Sequence, residues 1–567
     1  MTPAMDRVIA VARGRQAADL VLTHARIVNV FTGKIEHGNV AIADGQIAGV
    51  GDYAGGRETI DLQDRYLLPG LIDGHVHIES SMLDAGEYAR AVVSRGTTAV
   101  VTDLHEIANV CGLEGIRYVL ERARRLPLDV FLMAPSCVPA THLETAGATV
   151  GVREVRQLLR LKQCRGLSEM MNYPGVIGGD EVVLAKIAAA RGKVVDGHAP
   201  GLSGKDLQAY AAAGIQSDHE SVTLEEAREK LASGMHIMIR EGSSEKNLEA
   251  LLPLVNDETY RRCMFVVDDR TCTDLLRDGD IDAVVRKAIS LGLDPVRAIQ
   301  MATVNAAEYF RLDRLGAIAP GYHANLVVTG DLTTFPVEMV FHRGRLVARG
   351  GKPLFSAPAL RKSRLRDTVN IKPFGIEALR LPGKGEMALV IEIVPGQIIT
   401  RKRMEKIKTA DGYIQPDAGR DISKLVVVER HKRTGNIGVG LVKGFGLKQG
   451  AIGSSIAHDS HNIVVAGTND RDIYAAVKQI ESTQGGLAVV AQGRVIASLL
   501  LPIAGLLSDQ PLETVVSGFA RVEKAAAELG VKLVSPFSTL SFVALPVIPE
   551  LRLTDLGMVD VREFQLI

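Results

Sequence analysis

Cysteine is scarce in this 567-residue chain. The five present (Cys111, Cys137, Cys164, Cys263 and Cys272) are odd in number and show no CxxC spacing, which argues against a disulfide framework and against a cysteine-ligated zinc site. An excess of charge of one sign is also missing: Lys plus Arg is 66 and Asp plus Glu is 66, so no global field draws the molecule to nucleic acid or to an anionic membrane surface. A small neutral substrate fits that balance better. Long hydrophobic runs are absent too. The most apolar stretch, Val495 to Leu507, is broken by Pro502 and falls short of the roughly 20 residues a membrane helix requires. The N-terminal stretch MTPAMDRVIAVARGRQAADL carries charges where a signal peptide places its apolar segment, so no export signal is expected and a cytoplasmic protein is.

The length exceeds what one hydrophobic core usually organises, so two or three domains are expected. From about Ala18 to Leu62, short β-branched runs alternate with turns, and the same grammar returns between Gly316 and Gly351. These flanks, taken as residues 1–65 and 315–362, can pair into one small sheet domain. Between them, residues 66–314 hold eight short apolar runs separated by amphipathic stretches that often end in glycine. Eight strands alternating with helices over about 250 residues are the grammar of a (β/α)8 TIM barrel, with a doubly wound sheet as the competing architecture. Residues 363–567 change to a separate C-terminal α/β pattern. Its glycine-rich GNIGVGLVKGFG does not have the GxGxxG order of a dinucleotide loop and is read as turns between strands.

Ionisable residues gather at the C-terminal ends of the eight runs. His75 and His77 end the first, His105 and Glu106 the second, Glu169 the fourth, His198 the fifth and His219 the sixth. Arg240 and Glu241 end the seventh, and Asp268 and Asp269 the eighth. In a barrel those ends converge on one face, where active sites of that fold are built. Residues two apart on a strand point the same way, so His75 and His77 can grip one ion. Burying so many titratable groups together is costly unless something neutralises them, which divalent cations would do. A carboxylate such as Glu169 can bridge two ions with a water between them, and imidazole plus carboxylate ligation suits Zn, Mn or Fe(II). No metal role is expected for His24, His37, His236, His323, His342 or His431. In the C-terminal part, AHDSHN brings His458, Asp459 and His461 together. A polar turn before the strand NIVVAGT is the expectation, and the alternative is a further metal site or a loop entering an active site of its own or a neighbouring subunit.

The motifs PGLIDGHVH, a carboxylate on strand four, HAP, DHE and VVDD resemble the amidohydrolase superfamily. GAIAPGYHANLVV looks like that superfamily's return into its small β-sandwich, with Asn325 where an aspartate is usual. HVHIESSML, DLHEIANV, APSCVPATHLE, SEMMNYPGVI, DGHAPGLSGKDLQAY, MIREGS and DDR are similar to the bacterial adenine deaminases, and the region from about Val369 onward also fits them. Glu169 stands where most relatives with a bridging group use a carboxylated lysine. The resemblance implies that His75 and His77 hold one ion and His198 and His219 a second, with Glu169 bridging and Asp268 at strand eight. It implies two Mn2+ or Fe2+ ions, with Zn2+ compatible, and a homo-oligomer such as a dimer.

The implied reaction is hydrolysis of the exocyclic amine of adenine to hypoxanthine and ammonia, by a metal-bridged hydroxide attacking C6. N1 must then gain a proton, for which Asp268, Glu106 and His105 are the candidates, Asp268 first. His105 and Glu106 can equally be a hydrogen-bonded pair that orients metal ligands. Arg240, Glu241 and Asp269 are expected at the substrate, with Arg240 and Glu241 alternatively forming an ion pair across the barrel mouth. The alternative enzyme is another amidohydrolase acting on a cyclic amide or an N-acetyl group. A non-catalytic scaffold would lack metal ligands, and all six are present here. The HxE and PCxxC signatures of the cytidine-type zinc deaminases are missing.

Overall fold

The computed structural model describes residues 3–358, 364–383 and 385–567, so the boundary expected at 362–363 lies outside the described residues. The two flanks of the central block do share one sheet of nine strands. Leu326–Thr329 from the second flank pairs antiparallel with Tyr66–Pro69, in the register Leu326 to Pro69 and Thr329 to Tyr66, and that strand, the first of the block expected from residue 66, pairs parallel with Arg26 and Ile27 of the first flank. Leu20, Leu22, Ile27, Val40, Leu326 and Phe341 close a separate hydrophobic core beneath this sheet.

The central block carries eight parallel strands: β1 (Leu71–Asp73), β2 (Thr97–Thr102), β3 (Asp129–Ala134), β4 (Cys164–Met170), β5 (Val194–Gly197), β6 (Ser217–Asp218), β7 (His236–Arg240) and β8 (Cys263–Val266). Strands β1 to β5 form one sheet in sequence order and β6 to β8 another. Main-chain hydrogen bonds cross both seams. Gln216 N donates to Val195 O at 2.9 Å beside β5 and β6, while Asp268 N donates to His75 O at 2.9 Å and His77 N to Asp268 O at 3.0 Å beyond the ends of β8 and β1. Helices lie between the strands, and side-chain caps define where several begin: Asp84 accepts from Gly86 N, Asp180 from Val183 N and Thr223 from Glu226 N.

Side-chain alternation along the strands sorts two apolar layers. Ala99, Val101, Met133, Met238, Met264 and Val266 pack together in one cluster. Val100, Leu132, Ile237, Ile239 and Phe265 belong to the other, with the covering helices. The two-residue period carries the inner direction from Met238 to Arg240 and from Met264 and Val266 to Asp268.

The C-terminal region holds an eight-stranded sheet running from Thr400–Lys406 at one edge to Arg494–Leu500 at the other. Helix Asp470–Ser482 packs Ile473, Ala476, Val477 and Ile480 against Val426, Val465 and Val490 of that sheet. The GNIGVGLVKGFG segment corrects the expectation of turns, because Ile437–Lys443 is a strand. Gly438 in it passes so close to the chain that a Cβ would lie 1.9 Å from Thr554 O, so glycine is there for close approach. This region docks over the loops that follow the parallel strands. Thr145 N donates to Asp555 Oδ1 at 2.9 Å, Thr554 Oγ1 to Leu143 O at 2.7 Å, and Ser508 N to Met82 O at 2.8 Å.

Candidate active site

The structure brings His75, His77, Glu169, His198, His219 and Asp268 together in one cluster at the C-terminal ends of the parallel strands, all of them buried but His198, which is partly exposed. The two oxygens of Glu169 face different histidine pairs. Oε2 lies 2.8 Å from His198 Nδ1 and 3.2 Å from His219 Nε2, while Oε1 lies 3.5 Å from His77 Nε2 and 4.0 Å from His75 Nε2. Asp268 Oδ1 sits 3.0 Å from His77 Nε2 and 3.7 Å from His75 Nε2. Asp268 holds φ at 61°, a left-handed conformation that costs a non-glycine residue about 1–2 kcal/mol. In that conformation its main chain bonds both His75 and His77 while its carboxylate enters the cluster.

The donor set suits two divalent cations. Five groups of ligand atoms lie within coordinating reach among the described residues: His75, His77 and Asp268; His75, Glu169 and His219; His198, His219 and Glu220; His77, Asp103, His105 and Glu169; and His105, Glu106 and Asp459. His75 Nε2 is buried and has no hydrogen-bond partner among the described residues, a state that a metal bond relieves. Burial, reinforced by the neighbouring His219, lowers the His75 pKa to about 3, so its imidazole is neutral and free to act as a ligand.

His105 and Glu106 lie beyond the end of β2, opening helix His105–Ala123. His105 Nδ1 is 2.8 Å from Asp103 Oδ2 and 3.3 Å from Glu169 Oε1, and its Nε2 is 3.3 Å from Glu106 Oε1. Glu106 is bonded by two imidazoles of the C-terminal region, His458 and His461. The expectation of a plain polar turn at AHDSHN is therefore corrected: that loop enters the site of its own chain.

Arg240 lines the cavity, but its guanidinium is committed to Glu220 and, at 2.8 Å, to Asp268 Oδ2. The proposed Arg240–Glu241 pair is not formed. Glu241 instead accepts from Leu248 N at 3.1 Å and Lys287 Nζ at 2.5 Å, because the residue after an inward-facing strand end turns to the opposite side. Glu241 is thus withdrawn as a substrate contact, and Glu245 lines the cavity in its place. Burial raises the Glu245 carboxyl to about 7. Asp269 accepts from Ser80 Oγ and stands between two cavities, an inner one of about 50 Å3 over the cluster and an outer one of about 230 Å3. His458 and Phe542 line both.

Asp103, Glu220 and Glu245 join the site without having been singled out in the sequence, whereas His458 and His461 enter it as the alternative to a polar turn had it. The first two carried a signal. Aspartates recur two residues before a site residue, and Asp73, Asp103 and Asp218 accept the main-chain N–H of His75, His105 and Glu220 at 3.2, 3.2 and 3.1 Å. This is an Asx turn that ends each strand and turns the next side chain inward.

The chain matches the amidohydrolase family over residues 66–347 and the adenine deaminase C-terminal domain over residues 397–565. It is 62% identical over 563 residues to an adenine deaminase of Dehalococcoides mccartyi (strain ATCC BAA-2266 / KCTC 15142 / 195), covering 99% of each chain. It is 51% identical to adenine deaminase 2 of Carboxydothermus hydrogenoformans, covering 100% of this chain and 99% of that one. It is 50% identical to an adenine deaminase of Nitratidesulfovibrio vulgaris (strain DP4), covering 99% and 98%.

Proposed function

The chain belongs to the adenine deaminases, and from that membership we propose that it hydrolyses adenine to hypoxanthine and ammonia at the buried cluster of His75, His77, Glu169, His198, His219 and Asp268. The observation that carries the site assignment is the division of Glu169, one oxygen toward each histidine pair. His75, His77 and Asp268 would hold one cation, His198 and His219 the other, and Glu169 both. Two such cations, Mn2+ or Fe2+ with Zn2+ compatible, would acidify water for addition to C6 of the base.

The chain's own residues then handle protons and position. Asp268, with Oδ2 held by Arg240, presents Oδ1 to accept the proton released by the attacking water. Glu106 and His105, linked at 3.3 Å, line the same cavity and would move a proton toward N1 and the leaving amine. Met171, Ile398, Phe542, Leu545 and Ile548 line the same cavity, giving a flat apolar base a dry surface and excluding bulk water.

The eight parallel strands are read as a closed (β/α)8 barrel, supported by the main-chain hydrogen bonds at both seams. The domain division proposed with it is 1–65 plus 315–362, 66–314 and 363–567. No helix among the described residues is long and apolar enough to cross a membrane. A cytoplasmic homodimer is proposed, and light scattering of the purified protein tests the dimer.

Mixing the metal-loaded protein with adenine and following ammonia release tests the reaction. Ammonia above the metal-free control is expected. Its absence would overturn the assignment in favour of a hydrolase for a cyclic amide or an N-acetyl group.

A further inference from the structure

A second set of polar groups faces the cluster from the C-terminal region. It lies on the loop between strands Ala451–Ser454 and Ile463–Gly467. The loop is fixed at several points: His458 N donates to Ser541 Oγ at 3.0 Å, His461 N to Ala457 O at 2.6 Å and Asn462 Nδ2 to Thr145 O at 2.9 Å. The ring of Phe542 stacks on His458, with centroids 4.7 Å apart and planes 19° from parallel. Nδ1 of His461 accepts from Ala457 N at 3.2 Å, which puts the ring proton on Nε2, the nitrogen bonded to Glu106 Oε2. His458 meets the other oxygen of Glu106 through Nδ1, at 2.5 Å. Both oxygens of the carboxylate are therefore held by residues more than 350 positions away in sequence.

Simple anchoring of one region on the other does not require this arrangement. The Thr145–Asp555, Thr554–Leu143 and Ser508–Met82 bonds already dock the C-terminal region without pairing an imidazole to a carboxylate. Burying a carboxylate with two imidazoles is an expensive way to add one more anchor. Glu106 and His458 also line the inner cavity, where the reacting base must lie.

We propose that His458 and His461 are positioning residues for catalysis: from the C-terminal region they fix the Glu106 carboxylate as an oriented acceptor at the metal cavity, so that this region completes the active site of its own chain. The electrostatics agree. Against the effect of its burial, Glu106 raises His458 to about 10, while burial takes His461 down to about 4. One imidazole is a cation and the other a neutral donor. Glu106 stays ionised between them, its carboxyl held well below the usual range in spite of burial by His458, His461 and His105.

An amide-substitution test follows from the two ring nitrogens used. The Asn amide nitrogen falls where Nδ1 of a histidine lies, and the Gln amide nitrogen where Nε2 lies. His458→Asn and His461→Gln therefore keep the donor to Glu106, whereas His458→Gln and His461→Asn misplace it. In full-length, metal-loaded protein, kcat for adenine is expected to fall about 100-fold in each misplaced variant relative to its matched partner. Metal content and Tm are expected to be equal within each pair. Equal kcat within both pairs would overturn the proposal, as would a kcat loss that tracks loss of metal or of Tm. Failure of all four variants to fold with wild-type metal content would assign the histidines to anchoring and also overturn it. The inference rests on the deaminase reading, and the wild-type ammonia assay separates the two: an inactive wild type sinks that reading, an active one with equal pairs sinks this inference.

Discussion

Arg240 holds Oδ2 of Asp268 at 2.8 Å, which leaves Oδ1 as the oxygen that faces His77 at 3.0 Å and His75 at 3.7 Å. The same guanidinium bonds Glu220, itself 3.4 Å from His219 Nε2 and 3.8 Å from His198 Nδ1. One guanidinium nitrogen, Nη1, thus bonds an acid on each side of the proposed two-ion centre.

Arg240→Lys keeps the charge but loses the second bond to Glu220, from Nη2 to Oε2 at 3.3 Å, and the planar group that holds Nη1 between Glu220 and Asp268. A loss of about 10- to 100-fold in kcat/KM is expected, the usual cost of removing a partner that orients metal ligands. Steady-state kinetics on adenine alongside metal analysis checks it. A variant with wild-type kinetics would show that Asp268 and Glu220 hold position without that planar group.

Glu169→Gln removes the charge from the one group directed at both histidine pairs. At least one equivalent of metal is expected to be lost, and turnover to fall by orders of magnitude. Unchanged metal content with unchanged turnover would refute the bridging role. Chelation of the wild type tests the same site by stability: ions bound only by the folded chain raise Tm by mass action, so removing them should lower it.

The cluster was legible because its residues sit at strand ends, where local spacing reports direction. His75, His77, His198, His219, Glu169 and Asp268 all converge as that spacing implied. Glu241 was misplaced for the same reason inverted: adjacency to Arg240 in sequence puts it on the opposite side. The strand-rich flanks were readable from repeated short β-branched runs, but the strand that joins them, Tyr66–Pro69, lies just inside the block expected to begin at residue 66. His458 and His461 were opaque because a loop has no period, and nothing local points to a carboxylate more than 350 residues earlier. Gly438 and Gly440 read as turn residues because a strand glycine and a turn glycine look alike until the chain packed against it is known.

Lys230 and Asp218 form a wholly enclosed ion pair at 2.8 Å, with Glu226 at 2.7 Å from the same ammonium. Asp218 in turn accepts from Ala199 N and Glu220 N, next to His198 and His219. Lys230→Met leaves the carboxylate buried without its cation, at a cost of about 3–5 kcal/mol, measurable by urea unfolding. Burial alone would raise the Asp218 pKa, but Lys230 holds it well below the ordinary value. A carboxyl with a depressed folded pKa stabilises above its unfolded pKa of about 4 and loses that contribution as pH falls through the folded value. The wild type should therefore lose stability as pH drops below about 4, and Lys230→Met should show a smaller loss over the same range. Identical acid profiles would remove Asp218 as the cause.

Tyr210, buried on helix Gly204–Ala212, uses one hydroxyl to join two site elements: it donates to Met170 O at 2.8 Å and accepts from His198 N at 3.0 Å. Met170 follows Glu169, and His198 follows the end of β5, so the hydroxyl sets the spacing between the carboxylate and its imidazole partner. Tyr210→Phe keeps the ring and its packing, so no cavity opens, yet it leaves a buried N–H and a buried carbonyl each short of a partner. A stability loss of about 1–3 kcal/mol is expected from the unsatisfied groups alone. The functional effect separates from that loss because the cation proposed at His198 and His219 should be the one affected. Metal titration should show one of two sites weakened by about 10- to 100-fold, the other unchanged. Equal weakening of both would point to general loosening of the fold, and no weakening would reduce the hydroxyl to a structural tie.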